Sequence, residues 1–597
     1  MRGLVLWNPP MDKLVRWNRP MHGLLRWKQT MRVLARWNRI TLVVAMLSGA
    51  STLLAQEPNV PNSISVIPKP QSVVQHAGHF TLTNETVVWA DAPSAGVARQ
   101  LVRYLEPATG FNLAVRTRGT PAGNRIVLRR DTTLRRLGVE GYRLDVRAGV
   151  VTIRAAEPAG LFHGVQTIRQ LLPPDILREA PVGDVRWTMP AVTIEDMPRY
   201  GWRGMHLDVA RHFMPKEFVL KYIDLLALHK MNSFHWHLTD DQGWRLQIRK
   251  YPRLTDVGAW RKQTLVGPYS ADTSKQVYDH ERYGGFYTQA DVREVVAYAR
   301  ERFVNIVPEI EMPGHAQAAI AAYPELGVLG DTLDVLTIWG VSENILKPSD
   351  FSVSFMKDVL SEVMELFPGR YIHIGGDEAP KVQWQHSAFA QSRMRELGLT
   401  TENELQGWFN RQMDAFLTAH HRRMIGWDEI LEGGLAPNAV VMSWRGISGG
   451  IAAARDGHDV VMAPTSHTYF DYYQSRNTAD EPLAIGGYLP LDTVYAYEPT
   501  PATLEPRFAK HILGAQGQIW TEYLRDPKQV EYMALPRMAA LAEVLWTPAT
   551  GRSFADFSAR LPMHEQRLRA LDVHYRPNAP VTGGVPSGAP ASGASAR

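Results

Sequence analysis

Hydrophobic positions fall into two regimes along the chain. Between residues 60 and 195, short β-rich runs (Thr86 to Trp89, Arg125 to Leu128, Tyr142 to Val146 and Val150 to Ile153) alternate with helical stretches near 94–106 and 158–172. This predicts a small α+β domain over 62–195. From about 200 to 575, apolar runs of four to six residues alternate with longer stretches of helical period. The runs are Gly204 to Asp208, Ser233 to Leu238, Val304 to Glu309, Tyr371 to Ile374, Arg423 to Trp427, Ala439 to Trp444, Val460 to Ala463 and His511 to Gln516. Helical spacing is clear in 217–230, 289–303, 351–366, 404–421 and 529–545. Eight strands interleaved with helices predict an α/β fold, a (β/α)8 TIM barrel over 196–575. An open doubly wound sheet is the rival, but no Gly-rich phosphate loop follows any strand.

The two ends read differently. Residues 1–40 are four decapeptides, each beginning with Met and carrying Trp at its seventh position. An apolar run follows from Ile40 to Ala55, and it is short for a stable membrane span. Basic stretch, apolar stretch and small residue together read as a leader plus signal peptide over 1–55, with cleavage near Ala55. An uncleaved N-terminal anchor is the alternative. Export to periplasm, cell surface or medium is expected, with no stable membrane span after cleavage. Residues 576–597 are rich in Gly, Pro, Ser and Ala and are expected to be a disordered tail.

Charge changes the picture once it is localised. The chain carries +5, but residues 1–40 hold nine Lys/Arg against the single acid Asp12, a local +8 that leaves the rest at −3. The body therefore lacks the basic stripe that nucleic-acid binding needs. The absence of Cys excludes disulfides, thiolate metal sites and Cys nucleophiles. Oligomeric state is not legible.

In a barrel of this kind, chemistry gathers where strands end. Here Asp208 and Arg211 follow the first run, Asp240 and Asp241 the second, Glu309 to His315 the third, and Asp377 and Glu378 the fourth. Trp427, Trp444, Tyr469 with Asp471, and Trp520 with Glu522 follow the others. The sharpest segment is His373-Ile-Gly-Gly-Asp-Glu378. An isolated Asp-Glu pair is usually a solvated loop pair. One that follows a buried strand and a Gly-Gly turn points instead to a site. Glycoside hydrolysis ordinarily uses two carboxyls set ~5–10 Å apart across the sugar, which adjacent residues struggle to provide. A pair like this suits one acid and one carboxylate that steadies an attacking group on the substrate itself.

At these residues the chain resembles the β-N-acetylhexosaminidases of glycoside hydrolase family 20. The resemblance is carried by Arg203-Gly-Met-His-Leu-Asp-Val-Ala-Arg-His-Phe213, Phe234-His-Trp-His-Leu-Thr-Asp-Asp-Gln-Gly-Trp244, Pro308-Glu-Ile-Glu-Met-Pro-Gly-His315, the Asp-Glu segment and Gln518-Ile-Trp-Thr-Glu522. It covers about residues 62–575. It implies an exo-acting, retaining enzyme that removes terminal N-acetylhexosamine from an oligosaccharide or glycoconjugate through an oxazolinium intermediate, with no cofactor. Glu378 is then the general acid and later the base, and Asp377 orients the 2-acetamido N–H. Tyr469 bonds the acetamido carbonyl, and Trp427, Trp444 and Trp520 wall the pocket. Arg211 and Glu522 clamp the non-reducing hydroxyls, Asp240 and His315 support the acid, and Asp471 is a further pocket residue. The acid role predicts a raised pKa for Glu378, from the like charge of Asp377 and an apolar wall.

Other readings are weaker. His235 and His237 share one side of a strand with Asp240 and Asp241 nearby, a metal-like set. Hydrogen bonding inside the barrel explains them better, because no helical His-Glu-x-x-His spacing is present. His212, His420 and His421 are expected to be packing or surface residues, and Trp89, Trp187 and Trp202 core. A sugar-binding protein that has lost catalysis, and an enzyme releasing a disaccharide, are the alternatives. The intact Asp377, Glu378 and Tyr469 oppose the first, and the Arg211–Glu522 clamp opposes the second.

Overall fold

The computed structural model describes residues 64–119 and 122–578. The expected leader and signal peptide, and the tail beyond Asn578, lie outside the described residues. The first three tail residues do not: Arg576 pairs with Glu481 at 2.7 Å and its N–H donates to the Leu535 carbonyl.

The N-terminal region is one seven-stranded sheet built from β1 (Ser72–Thr81), β2 (Val87–Ala90), β3 (Val115–Arg116), β4 (Arg125–Arg130), β5 (Tyr142–Arg147), β6 (Val150–Ala155) and β7 (Thr188–Asp196). Their spatial order is β1-β7-β5-β6-β4-β2-β3. Alternation explains the layer. Tyr142, Leu144 and Val146 on β5 and Val151, Ile153 and Ala155 on β6 are buried, while the intervening residues are partly exposed. Helices α1 (Ala95–Thr109) and α2 (Pro158–Leu171) share that buried cluster. The β5–β6 hairpin pairs Arg147 with Val150, so two residues make the turn, and Gly149 sits at φ +73°. Glycine takes that left-handed geometry without the steric cost a Cβ would bring. Three strands escaped the sequence pattern, β3 because it is only two residues long. Eight of the ten β1 positions face solvent, so no alternation marks it, and Pro190 interrupts β7.

The second region closes into a barrel of eight parallel strands: β8 (Trp202–Asp208), β9 (Ser233–His237), β10 (Asn305–Glu309), β11 (Tyr371–His373), β12 (Arg423–Trp427), β13 (Val440–Ser443), β14 (Val460–Met462) and β15 (Ile512–Gly517). The eight predicted runs land on these strands to within a residue or two. Helices α3 (Lys216–Leu228), α4 (Gln289–Glu301), α5 (Asp350–Leu366), α6 (Glu402–Ala419) and α7 (Ser448–Arg455) lie between successive strands. Local chemistry sets their starts. Thr288 with Asp291, and Thr401 with Glu404, form reciprocal capping boxes, and Ser349 caps α5. The expected single helix over 529–545 is instead two, α8 (Pro527–Ala534) and α9 (Arg537–Trp546). Pro536 has no N–H to continue the ladder, and it holds Leu535 in an extended conformation. A last helix, α10 (Phe554–Ala570), completes the barrel region. No helix among the described residues is long and apolar enough to cross a membrane.

A buried polar knot ties sheet to barrel. Lys230 Nζ lies 2.9 Å from Asp196 at the end of β7, and both side chains are fully buried. Asp196 also accepts from Tyr142 Oη and Trp546 Nε1, each at 2.8 Å. Arg203 of β8 pairs with Glu140 at 2.6 Å. Removing one partner of a buried pair strands the other, which costs ~3–5 kcal/mol. Asp196→Ala is therefore expected to lower stability by that amount in chemical denaturation. A loss under ~1 kcal/mol would show that the knot does not hold the regions together.

Candidate active site

The turn after β11 decides where the two carboxyls point. Gly375 and Gly376 have φ of +66° and +94°, and Glu378 itself has φ +41°. The chain thus leaves strand geometry, and consecutive side chains no longer alternate across a sheet. Gly375 is required twice over: its φ is left-handed, and a Cβ there would come within 1.7 Å of the Glu311 carboxylate. Gln406 Nε2 donates to the Gly376 carbonyl at 2.6 Å and steadies the turn. Asp377 ends up buried, with Oδ1 lacking any hydrogen-bond partner, while the Glu378 side chain is 44% exposed.

His315, reached from the end of β10, faces both acids. Its Nε2 is 3.7 Å from Asp377 Oδ2 and 3.6 Å from Glu378 Oε2. Its Nδ1 is 3.2 Å from Asp240 Oδ1 and 3.3 Å from Asp241 Oδ2. Asp240 Oδ2 meets Arg211 at 2.8 Å and His237 Nε2 at 2.9 Å. Arg211 donates from Nε to Gln242 at 2.9 Å, stands 5.1 Å above the Trp520 ring, and keeps a buried Nη1 that makes no hydrogen bond and lies 3.6 Å from Asp208 Oδ2. Its backbone is held by Asp208, which accepts from the Ala210 and Arg211 N–H groups and, from the loop after the neighbouring strand β15, from Thr521.

The aromatic residues close around this group. Trp427 is fully buried and donates to Glu309 at 2.8 Å, with its ring 5.9 Å from Trp520. Trp444 stacks near Tyr469 at 6.2 Å and donates to Glu429 at 2.9 Å. Asp471 is buried with an unpartnered Oδ1. Glu522 acts on the charge of Arg211 and on that of Asp471. All eleven residues expected at the site therefore gather at one end of the barrel. Beside Glu378 and Trp444 lies an open groove of about 450 Å³, lined also by Lys381, Asn403, Gln406, Glu429, Glu432 and Arg445.

The electrostatics divide the two acids in the opposite sense to the expected one. Burial, with the like charges of Glu309, Glu378 and Asp240 outweighing the pull of His315, pushes Asp377 up to about 7. Glu378 is instead held below its ordinary value, chiefly by the His315 ring beside it. His315 stays protonated despite burial, because Asp240 and Asp377 flank it. Burial also drives Asp471 well above the carboxylate range, and Glu522 upward against the pull of Arg211. The expected upward shift of Glu378 overlooked its exposure and the imidazolium next to it.

Comparison with known proteins follows the same outline. The model for the catalytic domain of glycosyl hydrolase family 20 matches residues 200–549, more than half of the chain, and that for domain 2 of the family matches residues 63–197. The chain belongs to glycoside hydrolase family 20. A β-hexosaminidase of Porphyromonas gingivalis is 44% identical over 523 residues, covering 87% of this chain and 65% of the relative, so the chain spans about two thirds of that protein's length. A β-N-acetylhexosaminidase of Cellulomonas fimi is 33% identical, covering 88% of this chain and 99% of the relative. Among solved structures, the family 20 β-N-acetylhexosaminidase of Streptomyces coelicolor A3(2) superposes with a TM-score of 0.73 at 34% identity, covering 87% of this chain and 98% of that one. The exo-β-N-acetylglucosaminidase of Vibrio harveyi, in complex with N-acetylglucosamine, gives 0.75 at 34% identity, covering 86% and 78%.

Several residues of this family 20 site carried no role in the sequence reading. Gln242 and Asp208 fix Arg211, yet both sit inside quoted motifs, where a polar residue at a strand end was the only signal. Glu429, two residues past Trp427, is pushed to about 8 by burial and by Asp377. Lys381 lies in an ordinary loop, and nothing in the pattern marks it. His235 and His237 are buried and hydrogen-bonded, to Gln516 and to Asp240 respectively. His212 is a buried packing residue against Tyr283 and Trp339, and His420 and His421 are exposed.

Proposed function

We propose that the protein is an exo-acting, retaining β-N-acetylhexosaminidase that uses the substrate's own acetamido oxygen as nucleophile. The carrying observation is the single left-handed turn that brings Asp377 and Glu378 to the same nitrogen, His315 Nε2, at 3.7 and 3.6 Å. Neighbours on one turn cannot flank a sugar ring as nucleophile and acid. They suit a division in which buried Asp377, with its free Oδ1, takes the amide N–H. Glu378, at the edge of the groove, protonates the departing oxygen.

Each step has a residue. Seating the sugar displaces the water around the exposed Glu378 carboxyl, and burial raises a carboxyl's proton affinity. The acetamido oxygen, fixed by Asp377 at the N–H and by Tyr469 at the carbonyl, attacks the anomeric carbon as Glu378 donates its proton to the leaving oxygen. Proximity lowers the barrier of that intramolecular step. Glu378, now ionised, deprotonates the water that opens the oxazolinium ion, giving retention. Trp427 forms the floor, while Trp444 and Trp520 form walls. Arg211, whose Nη1 makes no hydrogen bond, Glu522 and Asp471 meet the non-reducing hydroxyls, so the pocket ends after one sugar. The groove past Trp444 receives the remainder of the glycan. The exo action and bound N-acetylglucosamine of the Vibrio harveyi neighbour support this reading.

Hydrolysis of an aryl β-N-acetylglucosaminide and of the matching β-glucoside tests the proposal. The first is expected to turn over readily and the second to be nearly inert. Comparable rates on the two would sink the nucleophile assignment. Residues 1–55 are proposed to direct export, and the chain recovered from the producing cell is expected to begin near Gln56. Recovery of an intact N-terminus outside the cytoplasm would overturn the cleavage.

A further inference from the structure

Beneath the catalytic turn lies a buried layer that the reaction as described does not use. Glu309, the last residue of β10, is completely buried. Its carboxylate is hydrogen-bonded by Trp427 Nε1 at 2.8 Å and, closest of all, by His237 Nδ1, while His373 Nδ1, which accepts the Gly375 N–H, lies 2.8 Å away and His235 Nε2 3.1 Å away. The other nitrogen of His237 is 2.9 Å from Asp240 Oδ2. Asp240 Oδ1 is 3.2 Å from His315 Nδ1, and His315 Nε2 faces Glu378 at 3.6 Å. Acid and imidazole thus alternate from Glu309 in the barrel interior to Glu378 at the groove, the last step a 3.6 Å approach rather than a hydrogen bond.

We infer that Glu309 is a positioning residue for the proton donor, acting through His237 and Asp240. The inference rests on the assignment of Glu378 as the acid. A ring with a carboxylate at each nitrogen donates at both, so His237 presents an N–H, never a lone pair, to Asp240. The two carboxylates hold His237 protonated against its burial, raising it to about 10. Asp240 Oδ2 is then taken by His237 and Arg211, and Oδ1, which also accepts the Asp241 N–H at 2.7 Å, is left to face His315 Nδ1 at 3.2 Å, beside Asp241 Oδ2 at 3.3 Å. That fixes the His315 ring edge toward Glu378. Without the Glu309 charge, the buried imidazole gives up a proton, and a neutral ring can turn its lone pair on Asp240. The carboxylate then keeps only Arg211 and the Asp241 N–H as anchors, and His315 is held less firmly toward Glu378. The Trp427 bond to the same carboxylate explains why Glu309 cannot be reduced to a simple ion pair: it braces the pocket floor as well.

Leaving-group dependence separates this role from a structural one, because an acid matters only where the departing oxygen is basic. Glu309→Gln keeps the shape and removes the charge. It is expected to lower kcat ~10²-fold on an alkyl or disaccharide N-acetylglucosaminide, with KM little changed. On a dinitrophenyl N-acetylglucosaminide, which leaves unaided, the loss is expected to stay below about tenfold. His237→Gln should show the same pattern and serves if the first variant folds poorly. Equal losses on both substrates, or no loss on either, would overturn the inference. Glu378→Gln measured alongside separates the two assignments. If it discriminates between leaving groups and Glu309→Gln does not, the Glu309 role fails alone. If Glu378→Gln does not discriminate either, the acid assignment itself has failed.

Discussion

Glu378→Gln is expected to lower turnover of a natural glycan by ~10²–10⁴-fold, the range that positioned acid–base catalysis supplies. The variant keeps length and hydrogen bonding but has no proton to give. Its effect should be concentrated in kcat, because the side chain is 44% exposed at the groove and contributes little to holding the sugar. Added azide or formate, small enough to enter the space beside the amide, should intercept the intermediate and recover part of the rate with activated substrates. Near-parental turnover by a folded variant would remove Glu378 from the mechanism, and with it the reason for the His315–Asp240 chain behind it.

The second large effect is expected from Asp377→Asn, a loss of ~10²–10³-fold in kcat on N-acetyl substrates, the cost of removing one preorganised electrostatic partner. Its pH signature is distinctive. Asp377 must be ionised to steady the amide N–H as positive charge develops, and in the free site its pKa is pushed up to about 7. In the parent, kcat/KM should therefore fall as pH drops through about 7, and that limb should vanish in the variant. Stability should move the other way. A carboxyl whose folded pKa is raised destabilises the native state when ionised, fully above about pH 7 and not at all below its unfolded value near 3.8. Asp377→Asn should melt higher than the parent at alkaline pH, with the difference closing as pH falls toward 4. Equal melting temperatures at all pH values would contradict the strained-carboxylate account.

That strain marks the limit of what patterning reveals. The eight barrel strands were legible because each is a short apolar run ending in polar residues, the signature of a sheet covered on both faces. The Gly375-Gly376 turn was legible because glycine is the residue for left-handed backbone. β1 was not, since nearly every position on it meets solvent, and neither was the break at Pro536, hidden inside an otherwise helical period. At the site, Arg211, Asp240, His315 and the two acids announced themselves by falling at strand ends. Their protonation did not. Whether Asp377 or Glu378 carries the higher proton affinity depends on burial and on a histidine brought from another strand, and no spacing in the chain encodes those. Glu309 shows the same limit: an acid inside a strand reads as an anomaly until three histidines and an indole are found around it.

The sugar's amide oxygen, and no group of the protein, is proposed to attack the anomeric carbon. The most direct test is a substrate series in which the N-acetyl methyl group is replaced by mono-, di- and trifluoromethyl, weakening the carbonyl oxygen while leaving the rest of the sugar alone. A steep, monotonic fall of kcat/KM with each added fluorine is the predicted result. A flat or rising series would mean that another group attacks, and it would contradict the account.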